Sequence, residues 1–274
     1  MKTAKAVGYN GVVPSLSGAS EPLMIVVRAE ADGELFDVYA KLSDKLHTGI
    51  KGYTAEAIAS LLAADLGLHT PQSFAVTIDD NFIASVADVN IRKRLESSAR
   101  VVFATQALPP SAKVPTTDMP LTACQLRSAG NIFAFDALIE NYDRGGAGKA
   151  NCLLNGDIIS IIDHEKAFPM AMGLLILGRK NPWEVGALEK YRTSGSHLFI
   201  NQILKNSSKI DMSEFSSLWA NLTDERILEY GNCLPSQWAN DNNSCVVLIL
   251  QHIIDVRNNI NDCITEIKRI IGKA

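Results

Sequence analysis

The sequence predicts an α+β fold in two lobes, a small strand-rich N-terminal lobe and a larger helical C-terminal lobe. Three observations carry the prediction. β-prone segments mark residues 1–108, a Pro-, Thr- and Ser-rich stretch at 109–120 reads as a linker, and residues 121–274 read as helices with one embedded hairpin. Segregated strands and helices belong to α+β folds, whereas a doubly wound sheet alternates them. At 274 residues, 47% hydrophobic and 20% charged, the chain has ordinary globular composition and room for two lobes sharing a cleft.

Residues 23–42 hold two apolar runs about Asp32-Gly33, a hairpin signature, and the small-residue stretch 15–20 reads as a loop feeding the first strand. Residues 54–66 place Ile58, Leu61, Leu62 and Leu66 on one helical face, with Thr54 as the expected N-cap and Gly67 as the stop. A strand at 74–78, a helix over 82–97 and a strand at 100–108 follow; Pro109 and Pro110 end the last. Beyond the linker, residues 126–140 read as a helix, and 151–154 and 158–162 as strands about Asn155-Gly156. The three- and four-residue spacing from Val246 to Ile271 predicts one long amphipathic helix.

The net charge of -4 argues against a broad nucleic-acid footprint. The longest apolar runs, 170–177 and 245–250, fall far short of the roughly 20 residues that span a bilayer. No apolar h-region follows the N-terminal lysines, so no secretory leader is read. The five cysteines are scattered without a C-x-x-C pair, which fits incidental thiols in a reducing cytoplasm better than a disulfide frame or a zinc site.

The chemistry-bearing residues gather between 141 and 163. Asn141-Tyr142-Asp143-Arg144 is followed by Asn151 and then by Ile161-Ile162-Asp163-His164-Glu165. Phosphoryl transfer needs a carboxylate to position the acceptor and oxygen ligands to hold Mg²⁺ on the phosphates. A loop Asp143, an Asn151 at a strand start and an Asp163 at the end of the return strand supply those groups. The turn folds Asn151 and Asp163 toward one open end of the hairpin; pairing parity leaves open whether they share a face. A nucleotide also needs a cation, and Lys41 at the end of the early hairpin is placed to give it, with Glu56 in the next helix to hold its ammonium. A solvated strand-end lysine and a glutamate complementing a helix dipole are the ordinary readings of each alone. The order Lys, Glu, Asp, Asn, Asp is what points to a site.

With these residues the chain resembles the HipA-like kinase family, a branch of the protein-kinase-like fold. The resemblance is carried by Tyr39-Ala40-Lys41, TAEAIASLLAADLGLHTP at 54–71, FDALIENYDR at 135–144, NCLL at 151–154 and IIDHE at 161–165. It covers roughly residues 15–200 and is closest to the compact single-chain members. It implies ATP, Mg²⁺ and transfer of the γ-phosphate to a protein Ser or Thr hydroxyl. Asp143 becomes the catalytic Asp, Asn151 and Asp163 the metal ligands, and Lys41 the phosphate-contacting lysine. Gln106 to Leu108, just before the linker, reads as the hinge whose backbone meets adenine. A protein substrate and a regulatory or antitoxin-type protein are the partner classes raised, with no direct nucleic acid and no membrane span.

Departures from the pattern are specific. Tyr142 stands where the family has proline or a small residue. The run Gly145-Gly146-Ala147-Gly148-Lys149 lacks G-x-x-x-x-G-K-[ST] and precedes a strand, so it reads as the catalytic loop, with Lys149 a phosphate-contact candidate, and not as a P-loop. Ser17-Gly18-Ala19-Ser20 is a poor glycine-rich loop. The short stretch before the first predicted strand leaves no place for the extra N-terminal subdomain of larger members. His164 is read as a packing residue beside the site, Arg144 as a loop-fixing residue and Trp183 as a packing anchor. His47, His69, His197 and His252 show no metal-ligand spacing. Two other functions keep the same residues: a kinase-fold enzyme acting on a small molecule or lipid head group, and a nucleotide-binding pseudokinase module. The intact Lys-Glu-Asp-Asn-Asp set opposes the second, and the poor first-lobe glycine loop favours it.

Overall fold

The structure is a computed structural model that describes residues 1–12, 21–46, 48–145, 150–173, 178–193, 195–241 and 243–272. The loop expected at 15–20, the Gly146–Lys149 part of the glycine run and His47 lie outside them. The fold is α+β, strand-rich at the N-terminal side and helical at the C-terminal side.

Five strands close into a barrel in the order β1-β2-β3-β5-β4. They are β1 (Lys2–Val12), β2 (Leu23–Ala29), β3 (Leu35–Lys41), β4 (Ser73–Thr77) and β5 (Val101–Gln106). Closure leaves no free edge. It is made by a parallel pairing of β1 with β4, Lys2 opposite Phe74, while the other pairs are antiparallel. In β2, Leu23, Ile25, Val27 and Ala29 alternate inward, the period-2 pattern of a strand with one buried face. Gly33 takes φ 74° at the turn into β3, and Asp32 Oδ1 accepts from the Glu34 amide at 3.0 Å.

β1 corrects the expectation that the first strand begins near residue 23. Among its described side chains Ala4 and Ala6 are the buried ones, and two register shifts, at Ala6/Gly8 and Tyr9/Gly11, break its period. Alanine, glycine and lysine have low β-propensity, so the barrel's pairing, more than the residues, makes this segment a strand.

α1 (Ile50–Asp65) crosses the barrel and meets the C-terminal helices. Thr54 is fully buried inside it and is not the N-cap, a position held by Gly49. Gly67, at φ 71°, ends the helix as expected: its amide reaches Ala64 O and the Leu68 amide reaches Ala63 O, a Schellman pattern. The single helix expected at 82–97 is two, α2 (Asp80–Ser85) and α3 (Val89–Ser97), because Asp88 restarts it by accepting from the Asn90 and Ile91 amides.

α4 (Ala123–Leu138) opens on a Thr122/Gln125 capping box and is buried on nearly all sides. It backs the hairpin β6 (Cys152–Asn155) and β7 (Ile158–Ile161). Asn155 pairs with Ile158, so the turn residues are Gly156 and Asp157, with Gly156 at φ 59°. Among the described residues six further α-helices follow: α5 (Ile200–Lys205), α6 (Ser213–Ala220), α7 (Asp224–Asn232), α8 (Ser236–Asp241), α9 (Asn243–Asn258) and α10 (Ile260–Ile270).

The long helix expected over 246–271 is thus divided. Asn259 leaves helical geometry, φ -112° and ψ 21°, and its side chain bonds the Asp255 carbonyl at 2.8 Å. An asparagine offers the backbone that alternative. The apolar stripe nonetheless stays buried on both halves. Trp238 ties the helices to the barrel, its indole donating to Val101 O at 2.9 Å and its ring packing near Tyr53 and Phe103.

Candidate active site

Lys41 ends β3 and Glu56 sits one and a half turns into α1, where the carboxylate is 1% exposed. Lys41 Nζ donates to Glu56 Oε1 and, at 2.7 Å, to Asp163 Oδ1. The other Glu56 oxygen accepts from the His164 amide at 2.9 Å. Burial alone would lower the Lys41 pKa, but Asp163, Glu56 and Glu165 outweigh it and hold the ammonium charged. Burial likewise works against the Glu56 carboxylate, and Lys41 and His164 hold it ionised.

The hairpin register pairs Cys152 with Ile161, and Ile162 N donates to Asn151 O at 3.0 Å, so Ile162 stands opposite Asn151 and Asp163 lies one step beyond the open end; the ladder by itself does not put Asn151 and Asp163 on one face. Both Asn151, at φ 46°, and Asp163, at φ 61°, take the left-handed conformation that L-residues rarely adopt. Such strain concentrates at functional sites. Asn151 Nδ2 donates to Asp143 O at 3.0 Å, and Asp143 Oδ1 receives Lys166 Nζ at 3.1 Å.

Beneath these groups lies a buried polar cluster centred on Arg144, which is fully buried. Its guanidinium grips Asp136 of α4, Nε to Oδ2 at 2.5 Å and Nη2 to Oδ1 at 3.2 Å. It also donates to Asn151 O, to Ile162 O at 3.3 Å, and meets His164 Nε2 at 3.1 Å. One side chain therefore holds the backbone beside both Asn151 and Asp163, the loop-fixing role read from the sequence. Asp136 also receives Asn141 Nδ2 at 2.9 Å and faces His197 Nε2 at 3.1 Å. Burial would raise the Asp136 pKa, but Arg144 and His197 hold it well below its ordinary value, and burial lowers His197.

Asp136 and Lys166 join the site without having been singled out, and so do Glu165, quoted only within its motif, and His197, read only as lacking metal-ligand spacing. Their contacts cross between elements, so no local spacing announces them. The available signal was Asp136 itself, a charge inside the apolar run 132–139. Glu165 is raised to about 7 by burial, with Asp163 and Glu56 adding and Lys41 opposing. Among the described residues, Gln106 and Leu108 share no hydrogen bond with the carboxylate group; Gln106 lies across from β3, paired with Val38. The Gln106 and Ala107 amides donate to Gln72 O and Asp37 O.

The donor set suits a hard cation. Asn151 and Asp163 offer a carboxamide oxygen and a carboxylate, with no thiolate or imidazole among them. Mg²⁺ takes one or two such protein ligands and fills the rest with water and phosphate oxygens. Among the described residues no group of three or more His, Cys, Asp and Glu is arranged to hold a metal unaided.

A family model described as HipA-like kinase matches residues 16–174, a span containing Lys41, Glu56, Asp143, Asn151 and Asp163. No curated protein matches the chain. Among solved structures, that of the Helicobacter pylori proinflammatory kinase CtkA aligns over 98% of this chain and 98% of its own, at 11% identity and a TM-score of 0.45.

Proposed function

The chain belongs to the HipA-like kinase family, and on that premise we propose that it is an ATP-dependent, Mg²⁺-using kinase acting on Ser or Thr hydroxyls of a protein in the cytoplasm. Residues 1–108 and 121–274 would form the two lobes of a protein-kinase-like fold, joined by 109–120. The observation that supports the reading most is the bridge from Lys41 to both Glu56 and Asp163.

In this reading Lys41 meets the ATP phosphates while Glu56 keeps its ammonium in place. The backbone at Gln106 and Leu108 receives adenine. Asp143 orients the acceptor hydroxyl and takes its proton as the hydroxyl oxygen bonds to the γ-phosphorus and the bond to the β-phosphate oxygen breaks, leaving ADP. Asn151 and Asp163 would hold Mg²⁺, which when bound supplies charge neutralisation at the phosphates. Arg144 positions the backbone that carries both ligands.

The test is Mg-ATP binding by calorimetry, followed by transfer of labelled γ-phosphate with Asp143→Asn and Asp163→Ala as controls. Wild-type protein is expected to bind Mg-ATP and to label itself or a lysate protein, and Asp143→Asn to lose on the order of 10²–10⁴ in transfer rate. A wild-type chain that binds no Mg-ATP and labels nothing would sink the kinase reading. Label confined to a small-molecule fraction would replace the protein acceptor.

A further inference from the structure

A cavity of about 290 Å³ opens beside the catalytic segment, lined by Glu140, Tyr142, Arg179, Lys180 and Lys190 together with backbone at Gly178, Gly186 and Ala187. That volume falls just below the roughly 300–1,000 Å³ typical of ligand sites, enough for a side chain or a small anion and too small for a nucleotide. Tyr142 is covalently joined to Asp143, so the cavity begins one residue from the carboxylate assigned to the acceptor.

The charge in the cavity is unbalanced. Glu140 is consumed: both its oxygens accept from Arg179, at 2.6 to 3.1 Å, and Oε1 also accepts from Tyr142 OH at 3.1 Å. That clamp fixes the Arg179 fork and the Tyr142 ring. Glu184 accepts from the Asn181 amide at 2.5 Å. Lys180 Nζ donates to the Val185 carbonyl at 2.8 Å. Lys190 Nζ sits 3.0 Å from the Tyr142 ring centroid. Among the described residues neither lysine has a carboxylate at ion-pair distance. Three cations therefore face one carboxylate, on walls that a glutamate–arginine pair and an aromatic ring hold rigid.

We propose that this cavity is an acceptor-selecting subsite that takes an anionic side chain, a carboxylate or a phosphate, of the polypeptide substrate. Lys190 and Lys180 supply the attraction, and the tyrosine face orients Lys190. The assignment of the anion to a substrate rests on the kinase reading; the affinity for an anion does not. Tyr142, the departure within the catalytic motif, has its use here as the platform under Lys190.

The test is fluorescence anisotropy on the full chain with labelled Ser-containing peptides in which one Glu or one phosphoserine is walked along the sequence, against Gln and Ser versions. Wild-type protein is expected to bind the acidic peptides at least tenfold more tightly than neutral ones at one fixed spacing from the acceptor Ser. Lys190→Glu should abolish that preference, and a peptide with Lys at the selected position should regain binding to the variant. Competition by inorganic phosphate alone distinguishes capture of any small anion from recognition of the peptide; full displacement at millimolar phosphate by the anion itself would overturn the peptide assignment. Equal binding of acidic and neutral peptides to wild type overturns the proposal outright. Calorimetry with Mg-ATP in the same preparation reports separately on the kinase reading.

Discussion

Lys41 and Asp163, 122 residues apart in the chain, meet at 2.7 Å, and Glu56 closes the third side of the contact. Two carboxylates thus share one largely buried ammonium. Lys41→Met would leave Glu56, 1% exposed, without its cation. Removing one partner of a buried pair costs about 3–5 kcal/mol, and far less is lost when both are neutralised. Urea unfolding of Lys41→Met, Glu56→Gln and the double variant should therefore show a coupling of at least about 1 kcal/mol. Strict additivity would mean the contact contributes nothing to the fold.

Arg144→Met should be the most damaging single change beneath the site. It leaves Asp136, which is fully buried, without its cation and takes one donor from each of the Asn151 and Ile162 carbonyls. A loss on the order of 3–5 kcal/mol is expected in thermal or urea unfolding. Arg144→Lys should recover little of it, because a point charge cannot reproduce a fork that reaches two oxygens of Asp136, a histidine and two carbonyls. Near-wild-type stability of the lysine variant would contradict this account.

Acid stability should track the same cluster. The folded-state pKa of Asp136 is held below its ordinary 3.8, so the unfolded chain binds more protons once the pH drops through 3.8. Its stabilisation is present above that pH and drains away as the pH falls toward the depressed native value. His197, lowered from 6.5 by burial, adds a loss that begins as the pH falls through 6.5. Asp136→Asn should start less stable at neutral pH and show a flatter acid limb in denaturation series carried from pH 7 down to about pH 2. An unchanged acid slope would remove Asp136 from the explanation.

Gly145→Ala tests the loop itself. A Cβ there would lie 2.8 Å from His197 Cα and 3.0 Å from Ser196 O, both backbone atoms that cannot step aside cheaply. Overpacking of this kind costs about 1–3 kcal/mol. Because the Leu198 amide bonds the Arg144 carbonyl at 3.0 Å, the displacement should reach Asp143 as well. The expected result is lower stability together with weaker γ-phosphate transfer; wild-type values for both would show that the loop can yield.

Particular residues show why some of this was legible and some was not. Leu23, Ile25 and Val27 alternate as a strand must, and Gly67 stops a helix where the apolar period ends. β1 escaped because Ala4 and Ala6 carry too little apolar surface to mark a face. The break at Asn259 escaped because the apolar period runs on across it. In the candidate site, Lys41, Glu56, Asp143, Asn151 and Asp163 could be picked out as an ordered motif. Their contacts could not, since the Lys41–Asp163 pairing depends on how the barrel and the hairpin dock. Asp136 and His197 meet only through tertiary packing, and Gly145 matters because of a backbone segment fifty residues on.

The parallel seam between β1 and β4 has a consequence for synthesis. β1, β2 and β3 leave the ribosome as a three-stranded ribbon whose two outer edges stay unpaired until residues 73–106 have also emerged. Open edges are templates for pairing with other chains, and non-local closures are slow. Translation pauses that delay β4 and β5 should therefore lower the soluble yield more than equal pauses placed after residue 106.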